Sequence, residues 1–115
     1  MADYLFLFRG GMAAMAKMSP EQMQQHMEKW MSWIDRLAKA GTYKAGEPLE
    51  KEGKVIAGKK LAVTDGPYAE SKDVVGGYLI VKADSLAKAT GIAKECPIFE
   101  SEGSVEIREI RPLHQ

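Results

Sequence analysis

The chain has few of the features that would place a protein in a chemical class at once. Its 115 residues include one cysteine, Cys96, so no intramolecular disulfide can form, and such usage suits a reducing compartment. The apolar runs are far shorter than the roughly 20 residues that span a bilayer, and no signal-peptide pattern opens the chain. We therefore expect a cytoplasmic protein that has no membrane contact.

The balance of charges and the spacing of possible metal ligands argue against two further classes, nucleic-acid-binding proteins and metalloproteins. Sixteen basic residues balance sixteen acidic ones, and the lysines are scattered, so the sequence predicts no binding to nucleic acid. The two histidines and the single cysteine form no cluster with zinc spacing. Glycine-rich phosphate-binding loops are absent as well. The sequence thus predicts no metal site and no cofactor.

Strand and helix patterns alternate along the whole chain and predict a single domain, residues 1–115. A capping box of Ser19 and Gln22, with Pro20 in the first turn, begins a long amphipathic helix that ends at Gly41. The predicted order is strand 3–9, a methionine-rich segment 10–18 without a period, helix 19–41, strand pieces within 43–64, strand 76–83, helix 85–96 capped by Asp84, and strand 104–110. Pro48 indicates that the first piece within 43–64 is an edge or bulged strand.

This order predicts an α+β fold on the ferredoxin-like, split βαβ plan with an added β-hairpin. Both helices would cover one face of the sheet, yet strands 3–9 and 76–83 are apolar on both faces. A second copy of the chain would bury the open face, so we expect a homodimer packed sheet to sheet. The alternative is that residues 43–64 fold over this face within one chain.

His26 and Asp65 are the candidate catalytic residues. Helical spacing places His26 at the flank of the apolar face, beside Trp30 and Trp33, where it could line a pocket and titrate near neutral pH. Asp65 lies in a turn, and a carboxylate near His26 could orient its tautomer for proton transfer. The alternative is a surface histidine stacked on a tryptophan. We interpret the methionines between 12 and 31 as core packing and a loose loop.

The stretch VTDGPYAESKDVVGG, residues 63–77, has the composition of a turn. Asp65 can accept backbone N–H bonds, Gly66 relieves steric limits, and Pro67 fixes φ. The pair Gly76–Gly77 would let another backbone or a ligand approach the strand closely. These features fit a structural connector as well as they fit a site.

The same stretch resembles the motif of the YCII-related family, in the branch named for its DGPF sequence. Residues 65–73 read DGPYAESKD, with Tyr68 in place of the eponymous phenylalanine. Similarity continues through VVGGYLIVKADSLAKATGIAKECP and GSVEIREI, and upstream in HMEKWMSWIDRLAKAG, so it covers most of the chain. The resemblance implies a dimeric α+β barrel.

The resemblance also implies a site, because YCII-like proteins are proposed to use a His–Asp pair in a cleft, here His26 and Asp65. One hypothesis is a small-molecule enzyme of the proton-transfer or isomerisation type, in a superfamily that includes muconolactone isomerase. The other is a non-catalytic ligand-binding or regulatory accessory protein, since family members occur beside extracytoplasmic-function sigma factors. The expected ligand-binding residues are Trp30, Trp33, Gly66, Pro67, Tyr68 and Glu70.

Overall fold

The structure is a computed structural model that describes residues 1–66 and 73–113. Four of its strands form an antiparallel sheet, and two others form a separate hairpin. In chain order the elements are β1 (Ala2–Arg9), α1 (Met12–Ala16), α2 (Pro20–Lys39), β2 (Tyr43–Pro48), β3 (Gly53–Ala57), β4 (Ala62–Gly66), β5 (Val75–Ala83), α3 (Leu86–Ala93), a 3₁₀ helix (Pro97–Ser101) and β6 (Ser104–Glu109).

The strand order of the larger sheet is β2-β5-β1-β6, and β3 pairs with β4 in the smaller one. Without the β3–β4 hairpin, this is the strand order of the ferredoxin-like, split βαβ plan. The predicted α+β fold with an added hairpin is therefore confirmed. β2 is an edge strand, as Pro48 predicts, because proline cannot donate a ladder hydrogen bond.

The hydrophobic core lies between the sheet and helices α2 and α3. Tyr4, Phe6 and Phe8 alternate along β1 toward the helices and are at most 7% exposed. The register places Phe6 beside Leu79 of β5, so neighbouring strands contribute to one apolar layer. Trp33 of α2 packs into this layer and is 1% exposed.

Helix α2 begins as predicted. The Ser19 hydroxyl accepts a hydrogen bond from the Gln22 backbone N–H, and the Gln22 side chain accepts one from the Ser19 N–H. Gly41 has φ 75° just after the helix, a conformation that favours glycine. No helix in the described part of the chain is long and apolar enough to cross a membrane.

Within residues 1–66 and 73–113 of one chain, no element covers the opposite face of the sheet. Leu5 and Ile80 are neighbours across β1 and β5 on this face and are only partly buried. The β3–β4 hairpin does not cover them, because its own Ile56 and Val63 stay 65% and 60% exposed. The Cα radius of gyration is 15.8 Å, against about 13 Å for a compact chain of this length. The hairpin therefore projects from the body of the chain, which consists of the four-stranded sheet, the α-helices and the 3₁₀ helix.

Three local predictions were wrong. The segment 10–18 contains a short helix, α1, which is too brief to display a period and which follows two glycines with positive φ, Gly10 and Gly11. Helix α3 is capped by Ser85 instead of Asp84, since the Ser85 hydroxyl accepts from the Lys88 N–H. This helix also ends early, at Ala93, because Pro97 begins a 3₁₀ helix four residues later.

Candidate ligand-binding cleft

A cleft of about 360 Å³ lies between helix α2 and the end of the sheet where the hairpin begins. Helix α2 presents two apolar stripes, of which one packs into the core and the other forms the wall of this cleft. Met27 and Met31 belong to the second stripe and are 45% and 64% exposed. The lining is dominated by methionine, aromatic and aliphatic side chains: Phe8, Met12, Met15, Met27, Trp30, Met31, Ile34, Tyr43, Tyr78 and Leu79.

Glycines form the floor of the cleft. A Cβ atom at Gly46 would lie 2.5 Å from Leu79 Cδ1, and one at Gly77 would lie 3.1 Å from the carbonyl oxygen of Glu47. Gly77 therefore lets the β2 backbone approach closely, as the Gly-Gly pair predicts. A Cβ at Gly76 would meet nothing within 4 Å, although this residue also lines the cleft. The pair leaves space for a ligand without a side chain in the way.

Charged groups are scarce along this lining. Glu47 is the only charged residue among the described residues that line the cleft. The buried hydroxyl of Ser101 is already satisfied, because it donates to the Ile98 carbonyl over 3.0 Å. An anionic ligand would therefore find no cationic partner among them, whereas an uncharged apolar ligand would lose little hydration on entry.

His26 lies behind the cleft wall instead of on it. Its side chain is 3% exposed, and the Trp30 indole Nε1–H donates to its Nε2 atom over 3.1 Å. Because an indole N–H is only a donor, Nε2 carries the lone pair and the neutral imidazole holds its proton on Nδ1. The expectation of a boundary histidine was wrong, because the 3₁₀ helix that carries Glu100 packs against α2.

Glu100 is the carboxylate that faces His26. Its Oε2 atom lies 3.8 Å from His26 Nδ1, an electrostatic contact beyond direct hydrogen-bond distance. Lys29 Nζ donates to Glu100 Oε1 over 2.9 Å. This hydrogen bond, with smaller contributions from the charge of Lys29 and from His26, holds the pKa of Glu100 below its usual value. The carboxylate thus stays ionised beside the imidazole.

Asp65 occupies a different environment. It lies in β4 and not in the predicted turn, because residues 62–66 pair with β3. Its side chain is 89% exposed, and it pairs with Lys54 across the hairpin. Within one chain, the described contacts of His26 and Asp65 do not join the two residues. The structure brings His26 together with Trp30 and Glu100 instead.

The other predicted binding residues do not lie at one site. Trp30 lines the cleft, whereas Trp33 is buried with its ring centroid 5.9 Å from that of Trp30. Gly66 is at the end of β4, where a Cβ would lie 2.7 Å from Val55 Cγ2, so its close approach is to the neighbouring strand. Pro67, Tyr68 and Glu70 lie outside the described residues, as does His114.

Sequence reasoning missed Glu100 and the methionine wall. Nothing in the pattern around Glu100 signals a contact with α2, because the 3₁₀ helix is short and far along the chain. The methionines did carry a signal, since Met12 and Met15 are three residues apart and Met27 and Met31 are four apart. Such spacing places each pair on one helical face.

Cys96 provides no nucleophile. It is 4% exposed, and its burial raises the pKa of the thiol to about 12. Since the reactive form of cysteine is the thiolate, this side chain is inert near neutral pH. Within residues 1–66 and 73–113, no group of three acidic, histidine or cysteine side chains is arranged to hold a metal ion.

The fold and the cleft define a small ferredoxin-like domain with an apolar cavity against its sheet. The chain belongs to the YCII-related domain family, whose sequence profile matches residues 4–114. A comparison with curated proteins finds no match. Among solved structures, the chain is similar to 5-chloro-2-hydroxyhydroquinone dehydrochlorinase (TftG) from Burkholderia phenoliruptrix AC1100, in complex with 2,5-dihydroxybenzoquinone. The TM-score is 0.48 and the identity is 13%, over 95% of this chain and 93% of that chain.

Proposed function

We propose that the chain binds a small, uncharged, largely apolar molecule, such as an aromatic compound, in the cleft beside Trp30. The observation that carries this proposal is a cleft of about 360 Å³ whose described lining is almost entirely methionine, aromatic and aliphatic, with Glu47 as its one charge. Ligand sites are typically concave, predominantly apolar and supplied with few polar groups.

The side chains around the cleft favour an aromatic occupant. Trp30 and Tyr43 offer ring faces and edges for stacking. The methionines have flexible, polarisable thioethers that adapt to ligands of different shape and contact ring edges favourably. Tyr43 carries a hydroxyl that could orient a ligand through a hydrogen bond.

We also propose that the chain acts as a homodimer through the open face of the sheet. Leu5, Leu7 and Ile80 form an apolar patch on the two central strands, and the hairpin of the same chain leaves it uncovered. A two-fold interface brings the same patch of two copies together, so one apolar face suffices for both. Membership of the YCII-related family supports this reading, since the resemblance implies a dimeric barrel.

The binding proposal is tested with two probes that differ by one sulfonate group. N-phenyl-1-naphthylamine is uncharged, and 1-anilinonaphthalene-8-sulfonate is the same molecule with a negative charge. We expect the uncharged probe to bind at least about tenfold more tightly, because the anion would be desolvated beside Glu47 without a counter-charge.

Variants then locate the probe. Met31→Glu places a carboxylate on the cleft wall and should raise the dissociation constant of the uncharged probe at least about tenfold. Gln24→Glu adds the same charge to the same helix at an exposed position that does not line the cleft, and should leave binding unchanged. Equal affinity for both probes, or equal effects of both variants, would contradict the proposal.

A second candidate is proton transfer with His26 as base and Asp65 as its orienting acid. Its support is that His26 lies one hydrogen bond behind a residue of the cleft wall, Trp30. Since the two residues do not meet within one chain, the pair would have to form between two copies, with Asp65 delivered by the projecting hairpin. Loss of turnover in both His26→Ala and Asp65→Asn, restored in a mixed dimer that contains one intact site, would support this mechanism. Full turnover in the Asp65→Asn dimer would exclude it.

A further inference from the structure

The hydrogen bond between Trp30 and His26 joins a cleft residue to a titratable one. Trp30 lines the cleft, and its Nε1–H donates to His26 Nε2 over 3.1 Å. On its other sides the indole packs edge to face on Phe8, with ring centroids 5.1 Å apart, and on Trp33. The hydrogen bond is therefore the directional contact that sets the orientation of the ring within an otherwise apolar setting.

We propose that His26 is a positioning residue for the cleft: its neutral Nε2 anchors the Trp30 indole, and protonation of Nε2 releases the indole and weakens ligand binding. The effect on binding rests on the function proposed above, whereas the anchoring of Trp30 does not. A protonated imidazole carries N–H groups at both nitrogens. Trp30 Nε1–H and the protonated His26 Nε2–H are then both donors, so neither atom can accept the hydrogen bond that joins the two rings.

The surroundings of His26 determine which of the two rings moves. In the described part of the chain, the charged group that contacts this imidazole is Glu100 of the 3₁₀ helix, and Glu100 in turn pairs with Lys29 of α2. The Glu100 carboxylate lies 3.8 Å from Nδ1 and attracts the protonated imidazole, so His26 keeps its place. Trp30 is only partly buried and borders an open cleft, so the indole is the ring with space to turn.

The test begins without any ligand. Trp33→Phe removes a buried indole N–H that has no hydrogen-bond partner among the described residues and leaves Trp30 as the only tryptophan. In this background we expect the Trp30 emission spectrum and the indole ¹H–¹⁵N signal to change as the pH falls from 8.5 to 5, while far-UV circular dichroism stays constant. His26→Gln should abolish the change, because the amide oxygen accepts the indole N–H and does not titrate.

Further variants assign the transition. His26→Leu removes the acceptor and should give the low-pH signal at every pH. His114→Gln removes the other histidine and should keep the transition as it is. A spectrum that does not change with pH, or a transition that survives His26→Gln, would overturn the anchoring.

Binding of N-phenyl-1-naphthylamine then connects the anchor to the cleft. In the protein that retains His26, we expect its dissociation constant to rise roughly three- to tenfold as the pH falls over the same range. This is the fold-change that the loss of one hydrogen bond produces. It should stay constant in His26→Gln. A Trp30 transition with unchanged affinity would overturn the link between His26 and the cleft. Absence of probe binding at every pH would contradict the proposed function alone, because the ligand-free spectra decide the anchoring independently.

Discussion

The helix-covered body and the β3–β4 hairpin each carry one of the two residues that the sequence singles out for catalysis, and they hold them in opposite ways. His26 in the body is 3% exposed and is contacted through both ring nitrogens. Asp65 in the hairpin is 89% exposed and has one lysine partner. A conspicuous motif therefore does not identify where a side chain is rigidly positioned. Packing from distant parts of the chain does that.

The same contrast holds for the apolar residues of the two regions. Trp33 in the body is 1% exposed and packs edge to face on Phe8 and Trp30. Ile56 in the hairpin is 65% exposed and has Val63 as its cross-strand neighbour. An isolated two-stranded hairpin is at best marginally stable in water. The body thus supplies the stability of the chain, and the hairpin depends on it.

The largest expected effect comes from removing a buried ring of the body. Trp33→Ala should lower the free energy of unfolding by about 3–5 kcal/mol, because the ring leaves a cavity in the core. Ile56→Ala in the hairpin should lower it by less than about 1 kcal/mol, since that side chain is mostly solvated already. Urea denaturation followed by far-UV circular dichroism measures both. Similar losses in the two variants would mean that the hairpin packs as tightly as the body.

The open face of the body offers the next test. Leu7→Glu introduces a charge among the apolar side chains of this face and should raise the dimer dissociation constant at least about tenfold, because the carboxylate would be buried at the interface. Leu86→Glu on α3 changes an equally apolar side chain that is 55% exposed elsewhere, and should leave the dimer intact. Size-exclusion chromatography with light scattering reports the mass. A wild-type chain that elutes as a monomer would refute the interface.

The smallest expected effect belongs to Asp65. Asp65→Asn removes an exposed ion pair with Lys54, so the free energy of unfolding should change by no more than about 0.5 kcal/mol. Affinity for N-phenyl-1-naphthylamine should change by less than about twofold, because Asp65 does not line the cleft. Isothermal titration calorimetry provides the affinity. A loss of affinity as large as that expected for Met31→Glu would mean that Asp65 belongs to the ligand site. The contrast between Asp65 and His26 would then be wrong.

The fold was predictable from the sequence because its signals are local. The capping box at Ser19, the alternation of Tyr4, Phe6 and Phe8, and the proline of an edge strand each depend on residues within a few positions of one another. Their order along the chain then restricts the topology to few arrangements.

The candidate site was only partly predictable, because its contacts join distant segments. Trp30 was identified from its position on α2, but the partner of His26 was not, since Glu100 reaches it from the 3₁₀ helix after α3. The sequence also did not show which apolar side chains of α2 are buried in the core and which line the cleft. Helical periodicity places Met27 at the centre of the face expected to be buried. The structure instead leaves Met27 45% exposed beside the cleft and packs Trp33 into the core. Periodicity shows that a face is apolar without showing what covers it.

The most direct test of the cleft as the ligand site is NMR of a chain labelled at its methionine methyl groups. Of the seven methionines, four line the cleft and three, Met1, Met18 and Met23, do not, so the chain carries its own control. Titration with N-phenyl-1-naphthylamine should shift the methyl signals of Met12, Met15, Met27 and Met31 in parallel and leave the other three unchanged. Shifts confined to the other three, or spread equally over all seven, would contradict binding in the cleft.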